Sequence, residues 1–203
     1  MRKKPWLRCE RCKMRREVCI CSDIPRLSTE TRLVLLAARR ELQVPTNTGR
    51  LAAQALTHSV MLTRGARDVP LDLAEYLPAG CRPLILYPAD DAIELSPAMR
   101  EGGPYTLVVP DGNWRQTSKM RRREPLLQGI QAVTLPPGPE TQYLVRRETK
   151  AQGLATIEAI ARALGILEGE WVQRELERIF ALMVQRTLAG RGQVSDRQCH
   201  HRC

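Results

Sequence analysis

Short apolar segments recur along this chain, and each is followed by a stretch long enough to hold a helix. Four of them are rich in Leu, Val and Ile: residues 31–38, 83–87, 106–109 and 131–135. Largely apolar strands are typical of a sheet that is covered on both faces, and parallel strands need crossovers of roughly a dozen or more residues. The pattern therefore predicts an α/β fold with a mainly parallel sheet and helices on both faces.

Four further segments have helical character: residues 49–56, 115–123, 154–164 and 170–188. Pro45 ends the segment before the first of these helices, and Thr46 or Asn47 can cap that helix. In the last two, apolar residues recur at helical spacing. Hydrophobic residues make up 43% of the chain and aromatic residues only 4%, so the core must be mainly aliphatic.

The chain carries a formal net charge of +10. A globular chain this basic usually meets a polyanion, and nucleic acid is the first candidate. No apolar run reaches the ~18 residues of a membrane span, and the charged start of the sequence lacks the apolar segment of a secretory signal. We therefore expect a cytoplasmic protein that does not contact membranes and has no obligatory protein partner.

Four cysteines stand in a C-x2-C-x6-C-x-C pattern within a basic segment: Cys9, Cys12, Cys19 and Cys21. Four thiolates can close a tetrahedral site around Zn²⁺, and closely spaced pairs let one turn supply two ligands. The pattern predicts a structural zinc site. The alternatives are reduced cysteines without a metal and an iron–sulfur cluster, since four cysteines also suit iron. The Cys and His residues at 199–203 are interpreted as a frayed tail and not as a second metal site.

Polar residues directly follow two of the predicted strands. The segment YPAD begins at the end of the strand at 83–87, and PDGNW follows the strand at 106–109. In parallel α/β sheets, ligands bind beyond the carboxyl ends of the strands. This position nominates Asp111 as a site residue, although an Asp before Gly is also an ordinary turn residue.

The segment VVPDGNWRQTSKMRRR resembles the DTW domain, whose signature is Asp-x-Thr-Trp between a strand and a basic helix. Four other segments agree with that family in the same order: RCERCKMRREVCIC, PTNTGRLA, LYP and GLATIEAIARAL. Together they cover the chain from about residue 8 to 189. Asn113 stands where the signature has Thr. Because Asn is also small, polar and tolerant of turns, we expect this change to tune the function and not to abolish it.

The resemblance implies a SPOUT-like fold with a knotted cofactor pocket. It also implies an enzyme that uses S-adenosyl-L-methionine to place a 3-amino-3-carboxypropyl group on a tRNA uridine. The product would be acp3U, substituted at N3, with release of 5′-methylthioadenosine. The predicted organisation is a zinc module at residues 1–28, a catalytic domain at 29–189 and a polar, disordered tail at 190–203.

Individual residues take roles from the same resemblance. Asp111 would accept the proton of uridine N3, and Trp114 would stack on the flipped base or on adenine. Thr156 is expected to cap the helix that follows it. The pocket for S-adenosylmethionine would be formed by Asp111 together with Thr46, Asn47, Thr48, Gly49, Leu86, Tyr87, Pro88, Leu135, Leu154, Thr156 and Glu158.

Basic residues form one group directly after the DGNW loop and another at residues 146–150. A charge run is usually a solvated helix face, but these residues adjoin the predicted site and suit contacts to RNA phosphates. The predicted RNA-binding residues are Arg115, Lys119, Arg121, Arg122, Arg123, Arg146 and Arg147.

Two other functions are compatible with these residues. A SPOUT-type RNA methyltransferase would use the same cofactor but leave S-adenosylhomocysteine. A zinc-containing RNA-binding module would have a pocket without activity. The nucleoside released from the cofactor distinguishes the two enzymes, and a lack of cofactor binding would favour the binding module.

Overall fold

The computed structural model describes residues 8–64, 73–143, 145 and 153–191. At its centre lies a six-stranded sheet in which every neighbouring pair of strands is parallel. The strands are β1 (Arg32–Ala38), β2 (Ser59–Arg64), β3 (Arg82–Leu86), β4 (Ile93–Glu94), β5 (Tyr105–Asp111) and β6 (Gln131–Thr134). Their order across the sheet is β2-β1-β5-β3-β6-β4.

Helices cover both faces of this sheet. The α-helices in the described part of the chain are α1 (Thr48–Ala55), α2 (Trp114–Arg123), α3 (Pro125–Gln128), α4 (Thr156–Leu167) and α5 (Glu170–Ala189). Short 3-10 helices lie at Arg16–Val18, Glu41–Gln43, Ala74–Tyr76 and Pro97–Gly102. One face packs against α1, α4 and α5, and the other packs against α2 and α3.

Successive residues of β1 alternate between the two hydrophobic clusters that these helices form with the sheet. Leu33 and Leu35 pack with α1, α4 and α5, whereas Val34 and Leu36 pack with α2 and α3. All four side chains are fully buried. A strand buried on both faces needs apolar residues on both, which explains the uninterrupted apolar run. The predicted fold class, a parallel α/β sheet with helices on both faces, is confirmed.

The two strands that the sequence does not reveal, β2 and β4, lie at the edges of the sheet. Within β2 only Leu62 is buried, and both residues of β4 are exposed. An edge strand has fewer neighbours to pack against, so its residues need not form an apolar run. Pattern alone therefore does not separate these two strands from loop.

Strand β5 is longer than predicted. It continues through Pro110 to Asp111, and these two residues pair with Leu36 and Ala37 of β1. Pairing of β5 with β3 ends at Val108, so Pro110 pairs only with β1. Its missing N–H therefore affects one pair of strands and not two. The expected turn therefore begins after Asp111, which becomes the last residue of a central strand.

The cysteine-rich segment packs on the same core as the sheet. Cys12, Met14 and Ile20 are buried in the cluster that contains α4 and α5. Arg186 of α5 donates a 2.5 Å hydrogen bond to the backbone carbonyl of Cys19. The predicted division at residue 28 stays a prediction.

Several predicted features lie outside the described residues: Arg146, Arg147, residues 1–7 of the zinc module, and the tail from residue 192, including its Cys and His residues. The predicted knot also stays a prediction. Among the described helices, none combines the length and apolar character that a membrane span requires.

Candidate active site

The carboxyl ends of four adjacent strands, β1, β5, β3 and β6, meet at one edge of the sheet. Asp111 ends β5 near the middle of this edge, and its side chain is only 4% exposed. Burying a carboxylate is costly unless donors surround it. Its contacts therefore show how the edge is organised.

Asp111 accepts hydrogen bonds from two side chains that belong to different helices. Asn47 Nδ2 donates to Asp111 Oδ2 at 2.6 Å, and Thr156 Oγ1 donates to Asp111 Oδ1, also at 2.6 Å. The other side of the Asn47 amide, Oδ1, accepts from the backbone N–H of Arg50 at 2.7 Å and caps α1. One carboxylate thus joins the N-termini of α1 and α4 to the end of β5.

The prediction that Thr156 caps α4 is wrong. The N-cap of α4 is Ala155, and Thr156 is the first residue of the helix. From there its hydroxyl reaches the end of β5, where Asp111 offers a charged acceptor. The stronger, charge-assisted bond to the carboxylate takes the place of a capping bond.

Arg50 is a buried residue near this centre that sequence patterns do not reveal. Its guanidinium donates to the backbone carbonyls of Leu42 at 2.5 Å, Val44 at 3.2 Å and Glu41 at 3.3 Å. Burial lowers the pKa of Arg50, and the negative charge of Asp111 opposes that shift. Arg50 therefore holds the loop before α1 and supplies positive charge near the buried carboxylate.

Gly49 allows the start of α1 to approach the sheet closely. A Cβ atom at this position would lie 3.0 Å from Leu35 Cδ2 and 3.1 Å from Asp111 Oδ2. Both separations are tighter than ordinary van der Waals contact, so a side chain at this position would press on Leu35 and Asp111. Gly49 therefore serves the packing of this edge.

Glu158 is buried and accepts three hydrogen bonds. Its carboxylate accepts from Thr141 Oγ1 at 2.5 Å, from the backbone N–H of Gln142 at 2.8 Å and from the backbone N–H of Ala155 at 2.7 Å. These bonds tie the loop after β6 to the start of α4. Glu158 is 6% exposed, so it does not belong to a solvated helix face.

The remaining predicted pocket residues also lie at this edge. Leu86 ends β3 and Leu135 follows the neighbouring strand β6. Both are half-buried, as is Leu154 before α4, while Pro88 is exposed. Thr48 Oγ1 accepts from the backbone N–H of Ile157 at 3.4 Å. The edge thus combines half-buried aliphatic side chains with backbone and hydroxyl groups, a mixture typical of small-molecule pockets.

An aromatic stack stands beside this edge. The rings of Tyr87 and Trp114 are nearly parallel, with centroids 5.5 Å apart and an interplanar angle of 10°. The guanidinium carbon of Arg121 lies 5.4 Å from the centroid of the Tyr87 ring, and Arg121 also pairs with Asp91 at 3.1 Å. Arg121 lowers the pKa of Asp91 through this contact. Trp114 is 51% exposed, so it is not the core anchor that a Trp at a helix start often is.

A basic cleft of about 460 Å³ runs along α2 next to the stack. Its lining residues are Trp114, Arg115, Ser118, Lys119, Arg122 and Arg123. Four of the predicted RNA-binding residues therefore share this cleft with the exposed tryptophan. Arg121 is not among the lining residues, because it contacts Tyr87 and Asp91.

Asn113, the residue that departs from the Asp-x-Thr-Trp signature, caps α2. Its Oδ1 accepts from the backbone N–H of Gln116 at 2.9 Å, and Gln116 Oε1 accepts from the backbone N–H of Asn113 at 2.8 Å. This reciprocal pair is a capping box. Asn and Thr are both good capping residues, so this contact does not require a Thr.

The four N-terminal cysteines come together in space. All four Sγ atoms lie within 4.8 Å of one another, with Cys9 and Cys21 at 3.5 Å and Cys12 and Cys19 at 3.7 Å. Sulfurs about 2.3 Å from a tetrahedral Zn²⁺ would be separated by about 3.8 Å. The backbone N–H of Cys12 lowers the pKa of Cys9 to about 6, whereas burial raises the pKa of Cys12 and Cys21. A central cation would favour all four thiolates, so the donor set fits a metal.

The fold and this edge together define a parallel α/β protein with a polar, pocket-like centre at the carboxyl ends of its strands. The family model of the DTW domain matches residues 7–188. The chain belongs to the DTW domain family.

Among curated proteins, the chain is similar to tRNA-uridine aminocarboxypropyltransferase 2 of Drosophila melanogaster and of Macaca fascicularis. The first is 27% identical over 168 residues, which cover 79% of this chain and 66% of the relative. The second is 28% identical over 178 residues, which cover 84% of this chain and 60% of the relative. The matched region spans less than two thirds of each relative's length.

Among solved structures, the fold is similar to the SAM-dependent rRNA:acp-transferase Tsr3 from Vulcanisaeta distributa. The TM-score is 0.53 at 20% sequence identity, and the match covers 83% of this chain and 82% of that one. This likeness concerns the fold.

Proposed function

We propose that this chain transfers a 3-amino-3-carboxypropyl group from S-adenosyl-L-methionine to N3 of a uridine in tRNA, with 5′-methylthioadenosine as the second product. The family membership and the relatives' names support aminocarboxypropyl transfer. One observation carries the proposal: the polar centre around Asp111 and the basic cleft with Trp114 adjoin each other across the short turn after β5. A small-molecule donor and an RNA acceptor need such adjacent sites.

The donor would be held at the carboxyl edge of β1, β3, β5 and β6. When bound, S-adenosylmethionine supplies an electrophilic methylene next to its sulfonium. The half-buried side chains of Leu86, Leu135 and Leu154 offer apolar contacts to an adenosyl group. Backbone groups of residues 46–49 and 86–88 offer polar ones, and Glu158 keeps the adjoining loop in place.

The acceptor uridine must lose the N3 proton before that nitrogen can attack carbon. We assign this proton to Asp111. The bonds from Asn47 and Thr156 hold the carboxylate in one orientation at the carboxyl edge of the sheet.

The RNA would lie along α2. Arg115, Lys119, Arg122 and Arg123 would contact phosphates, which position RNA without reading its sequence. The exposed face of Trp114 would stack on the base that leaves the RNA stack. Arg121 would hold Tyr87 against Trp114 and would not contact RNA directly. Arg146 and Arg147 would extend the phosphate-binding surface.

Zinc bound by the four cysteines would have a structural role, because four protein ligands leave no open coordination position. The metal would fix the N-terminal segment on α5. A tRNA substrate agrees with the cytoplasmic location that the sequence predicts.

The test is nucleoside mass spectrometry after incubation of the purified chain with S-adenosylmethionine and unmodified tRNA. We expect an aminocarboxypropyl uridine together with methylthioadenosine. A methylated nucleoside with S-adenosylhomocysteine would instead show a methyltransferase. RNA binding without any nucleoside product would identify a binding module.

A further inference from the structure

Tyr143 links two loops that border the candidate pocket. Its hydroxyl donates a 2.6 Å hydrogen bond to the backbone carbonyl of Thr46, in the loop before α1. The side chain is buried, and its ring packs against Phe180 of α5 at a centroid distance of 5.6 Å. Tyr143 thus connects a residue of the loop after β6 to a residue 97 positions away.

The loop that carries Tyr143 is itself anchored. Glu158 of α4 accepts from Thr141 Oγ1 and from the backbone N–H of Gln142. The backbone N–H of Tyr143 donates to Thr141 Oγ1 at 3.1 Å. The tyrosine therefore stands on a segment that a buried carboxylate fixes to the start of α4.

Through its hydroxyl, Tyr143 holds Thr46, the residue that precedes Asn47. Asn47 donates to Asp111, and Asp111 accepts from Thr156, which begins the same helix that carries Glu158. The contacts thus form a closed circuit from α4 through the loop after β6, the loop before α1 and the end of β5, back to α4. In a closed circuit of short hydrogen bonds, a shift of one member displaces the next.

We propose that Tyr143 is a positioning residue for the donor pocket. Its hydroxyl holds Thr46, and through it Asn47 and Asp111, in the arrangement that S-adenosylmethionine requires. A loop ordered before binding loses less conformational entropy when the ligand arrives, which raises affinity. This inference rests on the proposed function, because it assigns the donor to that pocket.

Tyr105 provides a matched comparison within the same chain. It is equally buried, and its hydroxyl donates to the backbone carbonyl of Met99 at 2.7 Å. It lies at the start of β5, whereas the candidate pocket lies beyond the end of that strand. Tyr143→Phe and Tyr105→Phe each remove one buried hydroxyl and leave the ring, so a general loss of stability affects both variants.

The experiment compares both variants with the wild-type chain in three measurements. Hydrogen exchange without ligand should rise at residues 44–48 in Tyr143→Phe but not in Tyr105→Phe. Calorimetry with S-adenosylmethionine should show an affinity about 3- to 10-fold lower for Tyr143→Phe, the range that one typical buried hydrogen bond corresponds to. Affinity for tRNA should stay within about twofold in both variants, because the basic cleft is untouched.

Unchanged exchange at residues 44–48 in Tyr143→Phe would overturn the inference, as would equal loss of donor affinity in both variants. A wild-type chain that binds no S-adenosylmethionine would overturn the proposed function. In that case exchange at residues 44–48 would still decide whether Tyr143 holds the loop.

Discussion

Asn47 Nδ2 and Asp111 Oδ2 lie 2.6 Å apart, and this contact joins the cap of α1 to the last residue of β5. The orientation of the amide is fixed from both ends, because its Oδ1 accepts the backbone N–H of Arg50. Asn47 thus combines two tasks that an ionised aspartate at this position could not combine. It caps a helix, and it presents a donor to a buried carboxylate.

Asn47→Asp separates these two tasks. Asp is as good a cap as Asn, but it replaces the donor facing Asp111 with a second carboxylate. We expect a stability loss of about 2 to 4 kcal/mol at neutral pH, since one carboxylate loses its partner and faces a like charge. The repulsion raises the folded-state pKa of the pair, so the loss should shrink as the pH falls and one carboxyl becomes protonated.

Thermal unfolding at pH 7 and pH 5 measures this effect. Asn47→Ser, which keeps a cap without adding charge, is the control and should show no such recovery at low pH. A variant Asn47→Asp as stable as the wild-type chain at both pH values would contradict the arrangement around Asp111.

Asp111→Asn tests the assignment of the proton acceptor. The amide has nearly the same size, and the Thr156 hydroxyl can rotate to accept from it. Transfer should fall by about 10²- to 10⁴-fold, the usual contribution of a positioned acid–base group. Affinity for tRNA should persist, and higher pH should partly restore the rate because more uridine ionises without help.

Single-turnover assays across a pH series give the answer. Thr156→Val is the matched variant, since it removes one hydrogen bond to the same carboxylate but keeps the carboxylate itself. It should lose less activity and show no rescue at high pH. Near-normal transfer by Asp111→Asn at neutral pH would rule out the proposed role.

Arg122 and Arg123 line the cleft along α2, and their loss should weaken RNA binding by an electrostatic route. Each lost phosphate contact lowers the log–log salt slope by about 0.7 to 0.9. The double variant to Ala should therefore flatten the slope by roughly 1 to 2. Filter binding of tRNA at several salt concentrations measures both the affinity and the slope.

Two comparisons sharpen that measurement. Alanine at Arg174 and Arg178 of α5 removes the same charge from the other side of the sheet and should change the slope little. Arg121→Ala should also leave the slope nearly unchanged, because its charge already pairs with Asp91. Equal slopes for all variants would show that the run on α2 is only a solvated face.

Trp114→Ala should weaken tRNA binding by removal of a stacking surface. Stacking of a base on an aromatic side chain contributes about 1 to 3 kcal/mol, so affinity should fall by at least about fivefold. Trp114→Phe should retain part of it. Trp171 of α5 is comparably exposed, at 42% against 51%, and Trp171→Ala should leave binding unchanged. Fluorescence anisotropy with labelled tRNA compares these variants, and identical losses at both tryptophans would contradict the stacking role.

Cys12→Ser tests the metal site. Elemental analysis should find one zinc per wild-type chain and lower occupancy in the variant. Because Cys12 and its neighbours Met14 and Ile20 belong to the main core, removal of the metal should also lower the melting temperature. Cys81→Ser lies outside the cluster and should change neither quantity. A stable wild-type protein that contains no metal would refute the assignment.

Local patterns in the sequence are sufficient for much of this fold. The four central strands are recognisable because both of their faces are buried, which forces apolar residues along the whole run. The cysteine spacing and the position of Asp111 at the end of an apolar run are likewise local features. In the structure the four cysteines lie together, and Asp111 ends β5 among hydrogen-bond donors. Asn47 and Asn113 cap helices for a reason that is also local, since a cap bonds to a backbone N–H three residues away.

Only the tertiary structure decided which distant segments contact one another. Arg121 stands in the same basic run as Arg122 and Arg123, yet its neighbour on the adjoining strand end is an aromatic ring, so its environment differs from theirs. The sequence predicts that Thr156 caps a helix, whereas in the structure its hydroxyl donates to Asp111. The bond from Tyr143 to Thr46 spans 97 residues and leaves no periodic or spacing signal. A hydrogen bond of this kind depends on which strand ends become neighbours, and the order β1-β5-β3-β6 brings together segments that are far apart along the chain.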